Sequence, residues 1–241
     1  AWELRRHKIE LAVLRAGHGP QTPMFLRPHE VKHFADSSVY PPFLGHQHHP
    51  TLRKLLRQMG HVSARHDCRT CAVVGASGVL LRQGAGQEIN VHDCVFRANH
   101  APTLRREDIV GSKRTFQFWT LPAGAPGQNE VQTLMDRRKA MLRHALQADN
   151  VSFLVVLNPA SLEAALEFVA SKQLPSGRTG ILHPQQLTRL CGNLPCDWDV
   201  SWPSTGILMV SVAQQLCASP PSVYGFDARS LPFHYYDPPG E

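Results

Sequence analysis

The sequence predicts a single α/β domain built on a mainly parallel sheet flanked by helices, and three observations carry that expectation. Short continuous apolar runs recur at CAVVG (71–75), CVFR (94–97), VSFLVVL (151–157) and SVYGF (222–226). Unbroken rather than alternating hydrophobicity marks strands covered on both faces. Candidate helices lie between them at about 130–148, 161–172, 184–191 and 206–217, and strands alternating with helices imply crossover connections and parallel pairing. Finally, 241 residues of which 42% are hydrophobic supply the core of one large domain.

The elements follow in order. Residues 1–66 form a stem or lead-in: an amphipathic helix near Trp2 to Leu14, then a tract rich in proline and histidine. Within it, HPTLRKLLRQMG (49–60) places Leu52, Leu55, Leu56 and Met59 at helical spacing with Gly60 as the stop, so this helix opens the globular body. His46, His48, His49, His61 and His66 lack metal-ligand spacing and read as solvated loop positions. Residues 67–241 are the functional domain. LPSGRTG (174–180) and GNLPCDWDVSWP (192–203) read as loops, the second long enough to line a site.

A formal charge of +6 suits an anionic ligand or surface. The basic blocks Arg5-Arg6, Arg105-Arg106 and Arg137-Arg138-Lys139 are short and scattered, which fits solvated helix faces and argues against nucleic acid. Six cysteines, at 68, 71, 94, 191, 196 and 217, and the acceptor pattern Asn150-Val151-Ser152 are compatible with a secretory compartment. No apolar run approaches the ~18 residues of a membrane span, and the first residues lack a signal-peptide core. The chain therefore reads as the soluble part of a longer protein.

Three stretches carry candidate chemistry. Val73-Val74-Gly75-Ala76-Ser77-Gly78 is a strand followed by a glycine turn, which lets a phosphate or sugar approach the backbone, or is an ordinary tight turn. Ser204-Thr205-Gly206 precedes the apolar run ILMVSVAQQLC, so its hydroxyls cap a helix whose first N–H groups carry partial positive charge and suit phosphate. His234, in Phe233-His234-Tyr235-Tyr236-Asp237, is an imidazole able to give a proton to a departing phosphate, or a structural histidine.

Together these stretches resemble the animal-type sialyltransferases, which transfer sialic acid from CMP-sialic acid to glycans. CRTCAVVGASG (68–78) with GQEINVHDCVFRANHAPT (86–103) is similar to the family's large motif. PSTGILMVSVAQQLCASPPSVYGFD (203–227) is similar to its small motif and HYYD (234–237) to its third. The resemblance covers about residues 68–237 and implies a Rossmann-like domain of a GT-A-like variant. It also implies a bridge between Cys71 and Cys217, pinning the glycine turn beside the helix end. Cys94 is expected as a buried free thiol; the pairing of Cys68 stays open, and Cys191 and Cys196 bridge locally or one of them takes Cys68.

For the donor, the resemblance implies binding by Ser77, Gly78, Asn99, Ser204, Thr205 and Gly206, with His234 protonating the leaving phosphate. It implies inversion without a metal or cofactor, and no Asp-x-Asp pair marks a cation. At the family's first-turn asparagine this chain has Ala76, a departure expected to weaken donor binding by about 1 kcal/mol. Trp202 stacks on the acceptor sugar or simply packs. His92-Asp93 is expected to brace the fold.

The family's fourth motif, which supplies the general base, follows the third by one to two dozen residues. The sequence stops at Glu241, so the expectation is a C-terminally truncated domain with little or no transfer activity. The alternative is an inactive relative that binds CMP-sugar or glycan. The acceptor, galactose or N-acetylgalactosamine of glycoproteins or glycolipids, stays open. VFR and ILHP lean toward α2,6 addition to N-acetylgalactosamine, PSTGIL and RANHAPT toward α2,3 addition to galactose, and HYYD also occurs in polysialylating relatives. The implied location is the Golgi lumen, held by an N-terminal membrane anchor that this sequence does not show.

Overall fold

The computed structural model describes residues 23–31, 49–62, 66–99, 101–120, 151–155, 162, 166, 177–191, 203–227 and 234–236. Four expected strands form where the apolar runs lie: β1 (Cys71–Val74), β2 (Cys94–Ala98), β4 (Val151–Val155) and β6 (Ser222–Tyr224). Two more, β3 (Phe116–Thr120) and β5 (Thr179–Ile181), arise where no strand is expected, β5 starting at the end of the stretch that reads as a loop. Gln117 interrupts the apolar run of β3. It is buried with its amide NH₂ donating to the carbonyls of Arg97 and Asn99, while its Oε1 finds no partner among the described residues.

All pairings are parallel, and the six strands follow the order β5-β4-β3-β2-β1-β6. The sequence thus steps away from β1 in one direction for five strands and returns to its other side with β6. In open parallel sheets, ligands settle at the carboxyl ends of the strands where the order reverses. That point here lies between β1 and β6.

The continuous hydrophobicity has the expected cause. Cys71, Val73, Cys94, Phe96, Phe118 and Phe153 pack on one face; Ala72, Val74, Val95 and Tyr224 pack on the other. Helix α6 (Thr205–Leu216) presses Leu208, Met209, Val212 and Ala213 into the first face, beside α5 (Pro184–Cys191). The short helices α2 (Leu80–Gln83), α3 (Gly86–Val91) and α4 (Glu107–Val110) contribute Leu80, Ile89 and Val110 to the second.

Helix α1 (His49–Met59) buries Leu52, Leu55, Leu56 and Met59 and ends at Gly60 with φ +73°, as the spacing predicts. His49 is buried at its first residue, which corrects its reading as a solvated loop position, whereas His61 and His66 are exposed. Upstream, Phe25 bridges Leu182 in antiparallel fashion and stacks on Phe153 at 5.1 Å. Only glycine at 180 leaves room, since a Cβ there would sit 2.4 Å from the Phe25 ring.

The disulfides settle part of the cysteine pairing. Cys71 is bridged to Cys217 across 146 residues, as the resemblance implies. Cys68 is bridged to Cys94, which corrects the expectation of a free thiol at 94. The reason is register: Cys94 opens β2 opposite Cys71, and Ala218 N–H and Cys94 N–H bind the carbonyls of Cys68 and Thr70, which draws the segment before β1 over the start of β2. The helix expected at 130–148, Cys196 and the acceptor residue Asn150 lie outside the described residues; of 161–172 only Leu162 and Leu166 are described, both helical.

Candidate functional site

Where the strand order reverses, the carboxyl ends of β1 and β6 are knitted together by backbone. Gly75 N–H donates to Tyr224 O at 2.8 Å and Ser77 N–H to Gly225 O at 3.1 Å. The approach is so close that a Cβ on Gly75 would lie 2.3 Å from Gly225 O, which accounts for the glycine at that step. The Ser77 hydroxyl donates to Asp227 O at 2.6 Å, and Gly78 is buried in the turn that follows.

The third motif closes on this turn from the other side. Tyr235 N–H donates to Ala76 O at 2.9 Å, and His234 bridges Ser77 in antiparallel fashion. The half-buried His234 ring stacks on Tyr236, with centroids 4.9 Å apart and planes within 9°. Tyr235 is buried and donates its hydroxyl to Pro102 O at 2.6 Å; burial pushes its phenol well above the usual range. Ala76 packs its methyl against this second core.

Two supports hold the assembly, and a third braces the opposite, amino end of the sheet. Arg97, the arginine of the R-x-N stretch, is 1% exposed and donates to the carbonyls of Val110, Gly111 and Lys113, closing the end of α4. Desolvation pulls its guanidinium down to about 10, offset in part by Tyr235. Tyr224 donates to Glu88 Oε1 at 2.7 Å and meets His92 Nε2 at 3.1 Å; burial, then the Glu88 contact, pushes its phenol up to about 12. Asp93 accepts from the backbone and hydroxyl of Thr70, and these two bonds hold its carboxyl below the usual range.

Helix α6 brings the small motif to the same place. Ser204 is its N-cap, accepting from Ile207 N–H, and the helix starts at Thr205. Gly206 faces the Phe226 ring so closely that a Cβ would lie 2.5 Å from it, and the same ring lies 3.0 Å from a Cβ on Gly75. Asn99 ends β2 in the left-handed region, with φ +48°, a conformation asparagine tolerates better than most residues. Its Oδ1 accepts from Thr120 N–H and Thr120 Oγ1, each at 3.0 Å, and Thr120 Oγ1 lies 2.8 Å from Thr205 Oγ1.

Asn99 and Thr205 are thus joined through one residue, and Ser77, Gly78 and His234 gather around the neighbouring turn at the β1–β6 reversal. Trp202 lies outside the described residues. Thr120 escapes sequence reasoning because it ends an unexpected strand; only a correct placement of β3 would have signalled it. Among the described residues no group of three or more histidine, cysteine, aspartate or glutamate side chains is placed to hold a metal.

The Cys71–Cys217 bridge lies elsewhere than expected. Cys71 begins β1 and Cys217 follows the last residue of α6, so the staple sits at the amino end of the strands, at the opposite end of the helix from Thr205.

A parallel sheet flanked by helices, with a turn, a helix N-terminus and an imidazole gathered at its order reversal, defines an open, doubly wound type of α/β protein. Residues 28–240 match Glycosyltransferase family 29 (sialyltransferase), and the chain belongs to that family. It is 32% identical over 178 residues to CMP-N-acetylneuraminate-beta-galactosamide-alpha-2,3-sialyltransferase 1 of Gallus gallus, covering 70% of this chain and 48% of that protein. It is 28% identical over 210 residues to the corresponding sialyltransferase 2 of Mus musculus, covering 83% and 57%. The chain therefore spans about half the length of these relatives. A solved mammalian sialyltransferase in complex with Gal-beta-1-3GalNAc-ortho-nitrophenol shares the fold, with a TM-score of 0.61 at 21% identity over 94% of this chain and 85% of that one.

Proposed function

We propose that the chain carries the donor site of an enzyme that moves sialic acid from CMP-sialic acid to a terminal galactose or N-acetylgalactosamine, with inversion and without a metal. The observation that carries this reading is the convergence of Asn99, the α6 N-terminus and His234 on the carboxyl ends of the strands. Departure of CMP leaves negative charge on its phosphate. The first N–H groups of α6 would stabilise that charge, as helix N-termini do. His234 would donate a proton to it as the sugar–phosphate bond breaks, and the acceptor hydroxyl would attack the opposite face of the sugar, giving its proton to the general base that the resemblance assigns to the family's fourth motif. Trp202, adjoining the helix cap, is assigned to acceptor contact.

The relatives' printed names place their transfer on beta-galactosamide acceptors with α2,3 linkage, and that linkage is the first to test. In the cell the reading implies the Golgi lumen and attachment through an N-terminal anchor. Among the described residues no helix is long and apolar enough to cross a membrane. The test is transfer from labelled CMP-sialic acid to a panel of galactose- and N-acetylgalactosamine-terminated glycans, with CMP binding followed in parallel. Linkage-specific product supports the enzyme. Binding of CMP without turnover supports instead a recognition module, a reading that Ala76 favours because it lacks the amide of the family's first turn. Absence of both would reject the donor site.

A further inference from the structure

The end of β3 carries a hydroxyl chain whose direction can be deduced atom by atom. Thr120 N–H lies 3.0 Å from the Asn99 side-chain amide. A backbone N–H only donates, so the amide atom facing it must be the oxygen, and the NH₂ group is turned the other way. Thr120 Oγ1 donates its single proton to that same oxygen at 3.0 Å. In the 2.8 Å contact between Thr120 and Thr205, the donor must then be Thr205. The polarity therefore runs from Thr205 through Thr120 to Asn99.

Two consequences follow for an anion at the site. Asn99 presents its N–H bonds on the side away from Thr120. Thr205, whose hydroxyl proton is committed to Thr120, presents only lone pairs from its side chain, so its attraction for an anion comes from the backbone N–H at the start of α6. We propose that Thr120 is a positioning residue for the nucleotide phosphate. By holding the Asn99 oxygen from two directions, it turns the amide N–H bonds away from itself, toward the phosphate assigned to the first N–H groups of α6. This deepens the donor-site reading above and rests on it.

The test compares CMP with cytidine, which lacks the phosphate, by calorimetric titration of the chain. Thr120→Val keeps the shape and the backbone N–H and removes the hydroxyl. It should weaken CMP about tenfold, the worth of one charge-assisted hydrogen bond, while cytidine stays within about twofold. Thr120→Ser should restore CMP. In an Asn99→Ala background the valine change should cost little more, because the two residues act as one unit. Thr120→Ala replaces the valine variant if that chain fails to fold. Unchanged CMP affinity in a folded Thr120→Val or Thr120→Ala chain overturns the relay, as does an equal loss of CMP and cytidine, which marks a merely structural role. If the unaltered chain binds neither ligand, the donor-site reading fails; if it binds CMP and only Thr120 proves indifferent, the relay alone fails.

Discussion

The two ends of the sheet are built by different means. At the amino ends of β1 and β2, two disulfides and the Thr70–Asp93 bonds tie the segment before β1 to β2 and to the end of α6. At the carboxyl ends the chain relies on glycines, on backbone contacts that include the His234–Ser77 bridge, on the Ser77 hydroxyl bonded to Asp227 O, and on side-chain hydrogen bonds among Asn99, Thr120 and Thr205. Helix α6 joins the two. Its 12 residues span about 18 Å at 1.5 Å per residue, so the covalent anchor at Cys217 lies about that far from the N-terminus to which the donor site is assigned above.

That contrast predicts that changes at the stapled end cost stability and changes at the open end cost binding or rate. The largest effect belongs to Cys71→Ala with Cys217→Ala, which frees a loop of 146 residues. The chain-entropy limit is ~5 kcal/mol, against ~3.5 kcal/mol for Cys68→Ala with Cys94→Ala. Thermal unfolding should rank the pairs in that order; an equal or reversed ranking breaks the assignment of α6's anchor to the first bridge.

His234→Ala comes next. With CMP-sialic acid as donor, whatever turnover the unaltered chain supports should drop ~10²- to 10⁴-fold, with a melting temperature close to that of the unaltered chain. A melting temperature that collapses with the rate would make His234 part of the fold rather than of the chemistry. Ala76→Asn is smaller and of opposite sign. It restores the family's first-turn amide and should tighten CMP by roughly fivefold, about 1 kcal/mol; affinity left where it was would show that the methyl's place against the core cannot serve the nucleotide.

The smallest effect lies at the edge of the sheet, just past β5. His183 is 3% exposed, its Nδ1 accepts from Gln185 N–H, and burial lowers its pKa below 6.5, with Glu30 opposing. Protonation is easier in the unfolded chain, so the stabilisation is complete above about 6.5 and is lost as pH falls through the lowered folded value. His183→Asn, which keeps an acceptor near Nδ1, should flatten that slope in urea titrations between pH 7 and 5.

Much of this was legible in the residues. Continuous runs such as CAVVG and CVFR announce strands buried on both faces, and Leu52, Leu55, Leu56 and Met59 announce α1, because periodicity records burial directly. Cys71 with Cys217, Asn99, Ser204 and His234 were legible through motifs whose wording survives in this chain. By contrast, β3 was hidden because Gln117 breaks the apolar run, and its amide finds partners only on β2. The docking of Phe25 over Gly180 was hidden for a similar reason: 155 positions separate two residues that meet only after the sheet forms.

The sequence by itself determined the alternation of strands and helices and the family motifs, since these depend on side-chain type and local spacing. Tertiary structure alone decided the strand order with its reversal between β1 and β6, the pairing of Cys68 with Cys94, and the line from Thr205 through Thr120 to Asn99. These depend on which distant backbone segments lie side by side. Only packing fixes that register, because a hydrogen bond of about 3 Å is set by geometry and carries no mark in the order of residues.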